Sequence, residues 1–350
     1  MGARALAAQA DSTRIMTFDM GGTSTDVGLI DGEIQLTDEG RIAHYPVSIP
    51  MVDMHTIGAG GGSLAWLDDG DVLQVGPQSA GAMPGPACYA SGGTRPTVTD
   101  ANLVLGHLPS QVALGGSMSL DCQAALESIK PLAGQMGCSD AEAAEGILAL
   151  ANEHMAQALR VISIEKGYDP KEFMLVSFGG AGGLHACDLA EALEMDSILV
   201  PIHAGVLSAL GMLAAPRGRR YTQTHIRAFA ELDVSRVDDL FQCMEQEGKR
   251  SLLKEGLSAT ELDYKREVDV RYVGQASTIR VSWSPLDIMR KAFQILHERR
   301  YGHALDEEIE LVNLHLSVHA LSAMPALPEV SQDPVLPVGE QTVYGISQAV

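Results

Sequence analysis

Basic charge is in short supply: 24 Lys and Arg stand against 45 Asp and Glu, a formal net charge of −21 over 350 residues. No basic block exceeds Arg217-Gly218-Arg219-Arg220, so neither nucleic acid nor an anionic membrane is expected as a partner. Cysteine is scarce too. Cys88, Cys122, Cys138, Cys187 and Cys243 are odd in number, widely spaced and never in a CxxC pair, which argues against a disulfide framework or a zinc site and fits a reducing cytoplasm. No run of about 18 apolar residues occurs, and the opening MGARALAAQADS lacks a long apolar core, so no membrane span or signal peptide is expected. Two nucleotide fingerprints are missing as well. The only Gly-Lys pair, Gly248-Lys249, is followed by Arg250 and makes no P-loop. In GAGGGS at 58–63, Ser63 stands where the dinucleotide motif needs a third glycine, with no suitable acidic residue at a strand end about twenty residues on.

What is present is a chain that is 46% apolar, enough to bury a sizeable core and to form two globular units. Apolar periodicity predicts strands near 15–20, 26–31, 33–37 and 51–57. Residues 76–96 contain nine Gly or Pro and read as a long irregular loop. A helix is predicted over 121–135, and a longer one from a Ser139 cap, with Glu142 three residues on, through Ile147, Leu150, Met155, Leu159 and Ile162 to Gly167. FMLVSFGGAGGLHACDLAEAL then reads as strand, glycine turn and helix (183–194), followed by the strand SILVP and a helix around 206–215. Glycine thins and charge rises after this, which places a boundary near 217. The domains expected are 1–216, an α/β lobe; 217–324, a smaller α+β domain with helices near 234–256 and 286–300 and strands near 264–273, 277–283 and 311–319; and 325–350, an extended tail with four prolines.

Three times an apolar strand runs into a glycine turn: MTFDMGGTSTD, MHTIGAGGGS and MLVSFGGAGG. In the first, Gly21 and Gly22 leave their N–H groups unobstructed for phosphate, Thr23, Ser24 and Thr25 add hydroxyls, and Asp19 and Asp26 supply oxygens of the kind Mg²⁺ takes. Ordinary β-hairpin turn chemistry is the other reading of that loop. Three such turns in one α/β lobe point to the actin-like, sugar-kinase-like (ribonuclease H-like) ATPase architecture. There Asp19 orients Mg²⁺ through water, Asp26 is the second candidate catalytic carboxylate, and Gly21 to Thr25 hold phosphate. Gly179, Gly180, Gly182 and Gly183 line the adenosine side, with close strand–helix packing as the alternative for Gly182 and Gly183. ATP and Mg are the cofactors expected.

In order along most of the chain, FDMGGTSTDVGLI, HTIGAGGGSLAW, GPQSAGAMPGPACY, PTVTDANLVLG, FGGAGGLHA, GVLSALGML and YGHALDEEIELVNLH resemble successive motifs of the hydantoinase A and 5-oxoprolinase family. The resemblance implies an ATP-dependent opening of cyclic amides such as hydantoins or 5-oxoproline, the carbonyl oxygen being phosphorylated before hydrolysis. The family also includes subunits of ATP-driven ketone carboxylases. Its members carry an earlier lobe with another DxGGTxTD loop, whereas eighteen residues precede Asp19 here and GARALAAQ reads as the middle of a helix. The chain is therefore expected to be a piece of a longer subunit, inactive alone. Its expected partners are the missing N-terminal lobe, a hydrolytic second subunit and a small cyclic amide, with homo-oligomerisation left open. An actin-like nucleotide-switched assembly protein is the rival from another class, which sedimentation with and without ATP would separate.

Other residues have plainer alternatives. Asp53 and His55 alternate on a predicted strand face and suit substrate or metal, or a polar strand edge; His185 suits nucleotide or substrate, or a packing role. His315 and His319 share a strand face that reads as solvated. Asp100 sits where a helix N-cap belongs, and Cys88 has no identifiable base to activate it.

Overall fold

The computed structural model describes residues 1–37, 40–42, 45–47, 51–110, 115, 118–320 and 343–344. It divides into one unit spanning residues 1–212 together with 326–350 and a second spanning 213–325. The expected tail at 325–350 lies outside the described residues apart from Val343 and Tyr344.

The first unit opens with α1 (Gly2–Gln9), β1 (Arg14–Met20), β2 (Thr25–Asp31) and β3 (Glu33–Ile34). Short strands β4 (Leu36–Thr37), β5 (Gly40–Ile42), β6 (Tyr45–Val47) and β7 (Met51–Val52) lead to β8 (Met54–Ile57). Then come the hairpin β9 (Ser63–Leu67) and β10 (Leu73–Ser79), the helices α2 (Val98–Val104), α3 (Cys122–Met136) and α4 (Asp140–Ile162), and finally β11 (Met174–Phe178), α5 (Ala186–Ala192), β12 (Ile198–Leu199) and α6 (Leu207–Leu213). The central sheet has the order β12-β11-β1-β2-β3, with β8 also on β2. β1, β2 and β3 form an antiparallel meander, whereas β11 and β12 run parallel to β1.

Period-two alternation gives this sheet two apolar faces. Met16, Phe18, Met20, Val27 and Leu29 face one side, covered by α4 through Ile147, Ala151, Met155 and Leu159. The alanines in α4 let its backbone lie close to the sheet. Ile15, Ile30 and Val176 face the other side and pack against Ala3 and Ala7 of α1 and Leu207 of α6. Burying these side chains is the main stabilising term, at roughly 1.5–3 kcal/mol for each large one. The α4 start is a reciprocal capping box between Ser139 and Glu142, as its sequence predicts.

Several elements differ from expectation. The strand anticipated over 33–37 is broken at Gln35: β3 pairs β2, whereas β4 pairs β7. The long loop at 76–96 begins later, because β10 continues to Ser79. The hairpin leading into it turns at Asp68-Asp69-Gly70, where Asp68 accepts hydrogen bonds from the N–H groups of Gly70 and Val72. α2 begins earlier than a cap at Asp100 would place it. Its N-cap is Thr97, and Asp100 sits three residues inside, closing a second capping box.

The second unit is a four-stranded antiparallel sheet of order β13-β16-β14-β15 with two helices on one face: β13 (Gly218–Ala228), α7 (Val234–Lys254), β14 (Leu262–Tyr272), β15 (Ile279–Ser282), α8 (Leu286–Tyr301) and β16 (Ile309–Ala320). Its core joins Phe241 and Phe293 of the helices to Val268, Leu314 and Leu316 of the sheet. β13 is invisible to apolar periodicity because its residues, GRRYTQTHIRA, are mostly exposed. Among the described residues, no helix is long and apolar enough to cross a membrane.

Leu159→Ala, at a fully buried position on the sheet-facing side of α4, is expected to lower the unfolding free energy by about 2–5 kcal/mol. Urea titration of the variant against the parent protein is the check.

Candidate functional site

The first glycine turn, 21–24, closes the β1–β2 hairpin, whose last pairs are Asp19 with Asp26 and Met20 with Thr25. Gly21 N–H donates to Ser24 O at 3.0 Å, so it is spent inside the turn and is not the phosphate donor that the sequence suggested. Gly22 and Thr23 are exposed, and their N–H groups have no partner among the described residues. A Cβ built on Gly22 would meet nothing within 4 Å. Thr25 corrects another expectation: its side chain is fully buried, and its hydroxyl donates to Ala59 O at 2.6 Å. It holds the second turn and is turned away from any ligand.

That second turn lies directly on the first. Gly61 N–H donates to Gly21 O at 3.0 Å and Gly62 N–H to Gly22 O at 2.6 Å. Gly60 packs so closely that a Cβ there would sit 2.7 Å from the Thr23 backbone. Thr99, at the start of α2, holds the same turn through its N–H and hydroxyl, both donated to Gly61 O. The third turn docks from the β11 side, where Ala181 N–H donates to Met20 O at 3.0 Å. Gly179 has φ +85° and lies against Asp19, so that a Cβ there would come 2.6 Å from Asp19 Oδ1 and overlap the Met20 carbonyl. Of the four glycines assigned to this turn, Gly180 and Gly183 are exposed and open, whereas Gly182 is buried against Phe18 and Ser177 and serves close packing.

Asp19, Asp26 and Thr56 form one cross-strand row over β1, β2 and β8, on the sheet face covered by α1 and α6. Thr56 Oγ1 donates to Asp26 Oδ1 at 2.5 Å, and Ser208 Oγ of α6 donates to Asp19 Oδ2 at 2.7 Å. Among the described residues no Lys or Arg pairs with either carboxylate. Neither hydroxyl was singled out from the sequence, although both lie inside motifs that were. Directly opposed partners in an antiparallel pair bring their side chains together, so two acidic groups face one another at the mouth of the turns.

Asp53 and His55 do not join them. His55 pairs with Val27 and so shares the opposite, α4-covered face, while Asp53 forms an ion pair with Lys166 just beyond α4. His185 is likewise on the α4 side and 1% exposed. Asn152 Nδ2 donates to Asp188, leaving Asn152 Oδ1 to accept from His185 Nδ1–H at 2.6 Å. Burial, helped by the nearby His107 ring, pushes the His185 pKa down to about 4. Asp100 accepts from the N–H groups of Ala87, Cys88 and Thr97, and thereby pins the loop to α2. Burial, then the adjacent Asp100, holds the Cys88 thiol strongly protonated. His315 is not solvated as expected: it contacts Asp269 at 2.6 Å, with Arg280 on the other carboxylate oxygen. Burial alone would raise Asp269, yet these partners outweigh it and hold its pKa at about 2. No group of three His, Cys, Asp or Glu among the described residues is arranged to hold a metal ion.

Residues 1–220 match the Hydantoinase/oxoprolinase family model. The chain belongs to that family. It is 38% identical over 330 residues to the caprolactamase subunit alpha of Pseudomonas jessenii, covering 91% of this chain and 47% of that protein. The crystal structure of the ATP-dependent caprolactamase from the same organism superposes with a TM-score of 0.83 at 35% identity, over 97% of this chain and 51% of that one. A nucleotide-free acetone carboxylase structure, described in connection with ATP-dependent acetone carboxylation, gives 0.73 at 29% identity, over 95% and 50%. The mixed α/β fold is thus shared with both. This chain spans about half the length of the caprolactamase subunit and about a quarter of the length of the 5-oxoprolinases it matches.

Two outcomes follow from the packing of these turns. Gly60→Ala and Gly179→Ala are each expected to lower stability by about 1–3 kcal/mol or more, whereas Gly22→Ala stays within about 0.5 kcal/mol of the parent protein; thermal melts compare the three. His185 has its folded pKa depressed, so the unfolded chain takes up the proton first. Stability is therefore expected to fall as pH drops from the ordinary 6.5 towards about 4. His185→Gln is expected to flatten that window in urea melts at several pH values.

Proposed function

We propose that this chain is the ATP-binding half of a hydantoinase/oxoprolinase-type subunit that phosphorylates a cyclic amide for ring opening. The observation that carries the reading is the stacking of three glycine turns at one end of the central sheet, beside the facing carboxylates Asp19 and Asp26. An antiparallel three-strand meander continued by two parallel strands supports the actin-like, ribonuclease H-like assignment. In this reading the Gly22 and Thr23 amides and the Thr23 and Ser24 hydroxyls receive the phosphates. Gly180 and Gly183 leave backbone open on the adenosine side.

The residues also fit Mg²⁺. Asp19 and Asp26 face one another with no basic partner among the described residues, and Mg²⁺ is usually bound by one or two carboxylates plus phosphates and waters. Asp19 would hold the ion through water, and the ion would neutralise phosphate charge. The protein's own contribution to phosphoryl transfer is chiefly position and charge placement. In this reading the lactam oxygen attacks the γ-phosphorus as the bond to ADP breaks; water then adds at the activated carbon, the C–N bond opens with the amine as leaving group to give an acyl phosphate, and a second water releases phosphate and leaves the carboxylate. A ketone-carboxylating subunit is the second reading, favoured by the likeness to acetone carboxylase; there the phosphorylated species is an enol and bicarbonate is consumed.

The partners proposed are an N-terminal lobe closing over the open side of the turns and a second, hydrolytic subunit, all in the cytoplasm. The apolar exposure of Val200, Ile202 and Val206 around the loop before α6, at 52%, 77% and 55%, supports a lobe docking there. The chain without that lobe is expected to turn over nothing.

The test joins this chain to the upstream coding sequence, adds the partner subunit, and follows phosphate release from ATP with caprolactam, 5-oxoproline, a hydantoin, or acetone plus bicarbonate. Stimulation by a cyclic amide is expected, and Asp19→Asn is expected to reduce it about 100-fold or more. Absence of stimulation by every cyclic amide would discard the hydrolase reading; stimulation by acetone plus bicarbonate alone would select the second.

A further inference from the structure

The segment GVLSALGML, residues 205–213, has no part in the phosphate or adenosine assignments above, yet it reaches Asp19. We propose that Ser208 is a positioning residue that fixes the Asp19 carboxylate for metal-nucleotide binding. This rests on the ATP reading of the three turns.

The geometry is specific to the two oxygens. Ser208 Oγ donates to Asp19 Oδ2 at 2.7 Å, while Oδ1 lies where a Cβ on Gly179 would approach to 2.6 Å. An Asp side chain has a broad final torsion. A carboxylate facing a second one across a strand pair would otherwise rotate to separate the like charges. Ser208 removes that freedom on Asp19, as Thr56 does on Asp26 at 2.5 Å. Hydrogen-bonded partners of this kind orient the groups that hold a metal.

Ser208 is itself held firmly, although its side chain is exposed. Its neighbour Leu207 is 1% exposed and packs with Ile15 and Val176 under the sheet. α6 crosses α1 in backbone contact: a Cβ on Gly211 would lie 2.9 Å from Gly2 N, and one on Gly2 would lie 2.9 Å from Leu207 O. The loop before α6 is tied to the third turn, because Gly179 N–H donates to Ala204 O at 3.1 Å. A movement of the third turn on nucleotide binding would thus reach Asp19 along two routes, directly through Gly179 and indirectly through Ala204 and Ser208.

The test uses the complete subunit carrying Ser208→Ala, Ser208→Thr or Asp19→Asn. Mn²⁺ binding is followed by electron paramagnetic resonance with ADP present, nucleotide binding is measured without metal, and melting temperature is recorded. Ser208→Ala is expected to raise the half-saturating Mn²⁺ concentration about 10–100-fold, leaving metal-free nucleotide affinity and melting temperature at the parent values. Ser208→Thr is expected to restore the parent Mn²⁺ curve, and Asp19→Asn to abolish tight binding. If Asp19→Asn loses Mn²⁺ while Ser208→Ala keeps the parent curve, the positioning role is overturned and the ATP reading stands. If Ser208→Ala weakens metal-free binding and melting in parallel, its role is structural and the proposal falls. Parent-like Mn²⁺ binding in Asp19→Asn, or none in the parent, removes the reading and the proposal together.

Discussion

The contact on which the rest of the site depends is backbone against backbone: Gly61 and Gly62 donate to the carbonyls of Gly21 and Gly22, and Ala181 donates to that of Met20. Hydrogen bonds of this type need main chains at a distance no side chain can share. Gly60 and Gly179 are therefore glycine for steric reasons, whereas Gly22, Gly180 and Gly183 border open space. One set of glycines brings the three turns together, and the other leaves a surface of free amides that a ligand can approach.

Everything beneath the turns serves to hold their strands in register. α4 covers one face of the sheet and α1 with α6 the other, so that β1, β2, β8 and β11 end at the same level. That common end is what puts Asp19, Asp26 and Thr56 in one row. The same alternation sends Thr25 and His55 to the α4 side, where Thr25 supports the second turn. A single residue of strand register thus separates the carboxylates available to a ligand from groups that hold the scaffold.

Polar groups buried elsewhere are used for structure. Asp100 organises the loop before α2 with four hydrogen bonds, from Ala87, Cys88 and two groups of Thr97. Asp269 ties β14, β15 and β16 together through Arg280, Asn313 and His315. In each case a carboxylate taken from water is satisfied by several donors, which is the condition for burying it at modest cost. Cys88 is buried beside one of these carboxylates and has the wrong electrostatics for a nucleophile.

A linear reading of the residues reveals the hairpin around residues 17–31, the capped helix from Ser139, the helices near 234 and 286 and the family resemblance. These rest on local periodicity, capping and contiguous motifs, which a linear reading captures. It also marked three glycine turns as unusual. Folding in three dimensions is what stacks these turns on one another, sorts packed glycines from open ones, and commits Gly21 and Thr25 to the scaffold. β13 and the role of Ser208 were hidden for the same reason: an exposed polar strand has no apolar period, and a hydroxyl 189 residues from its partner acquires a function only when folding closes that distance.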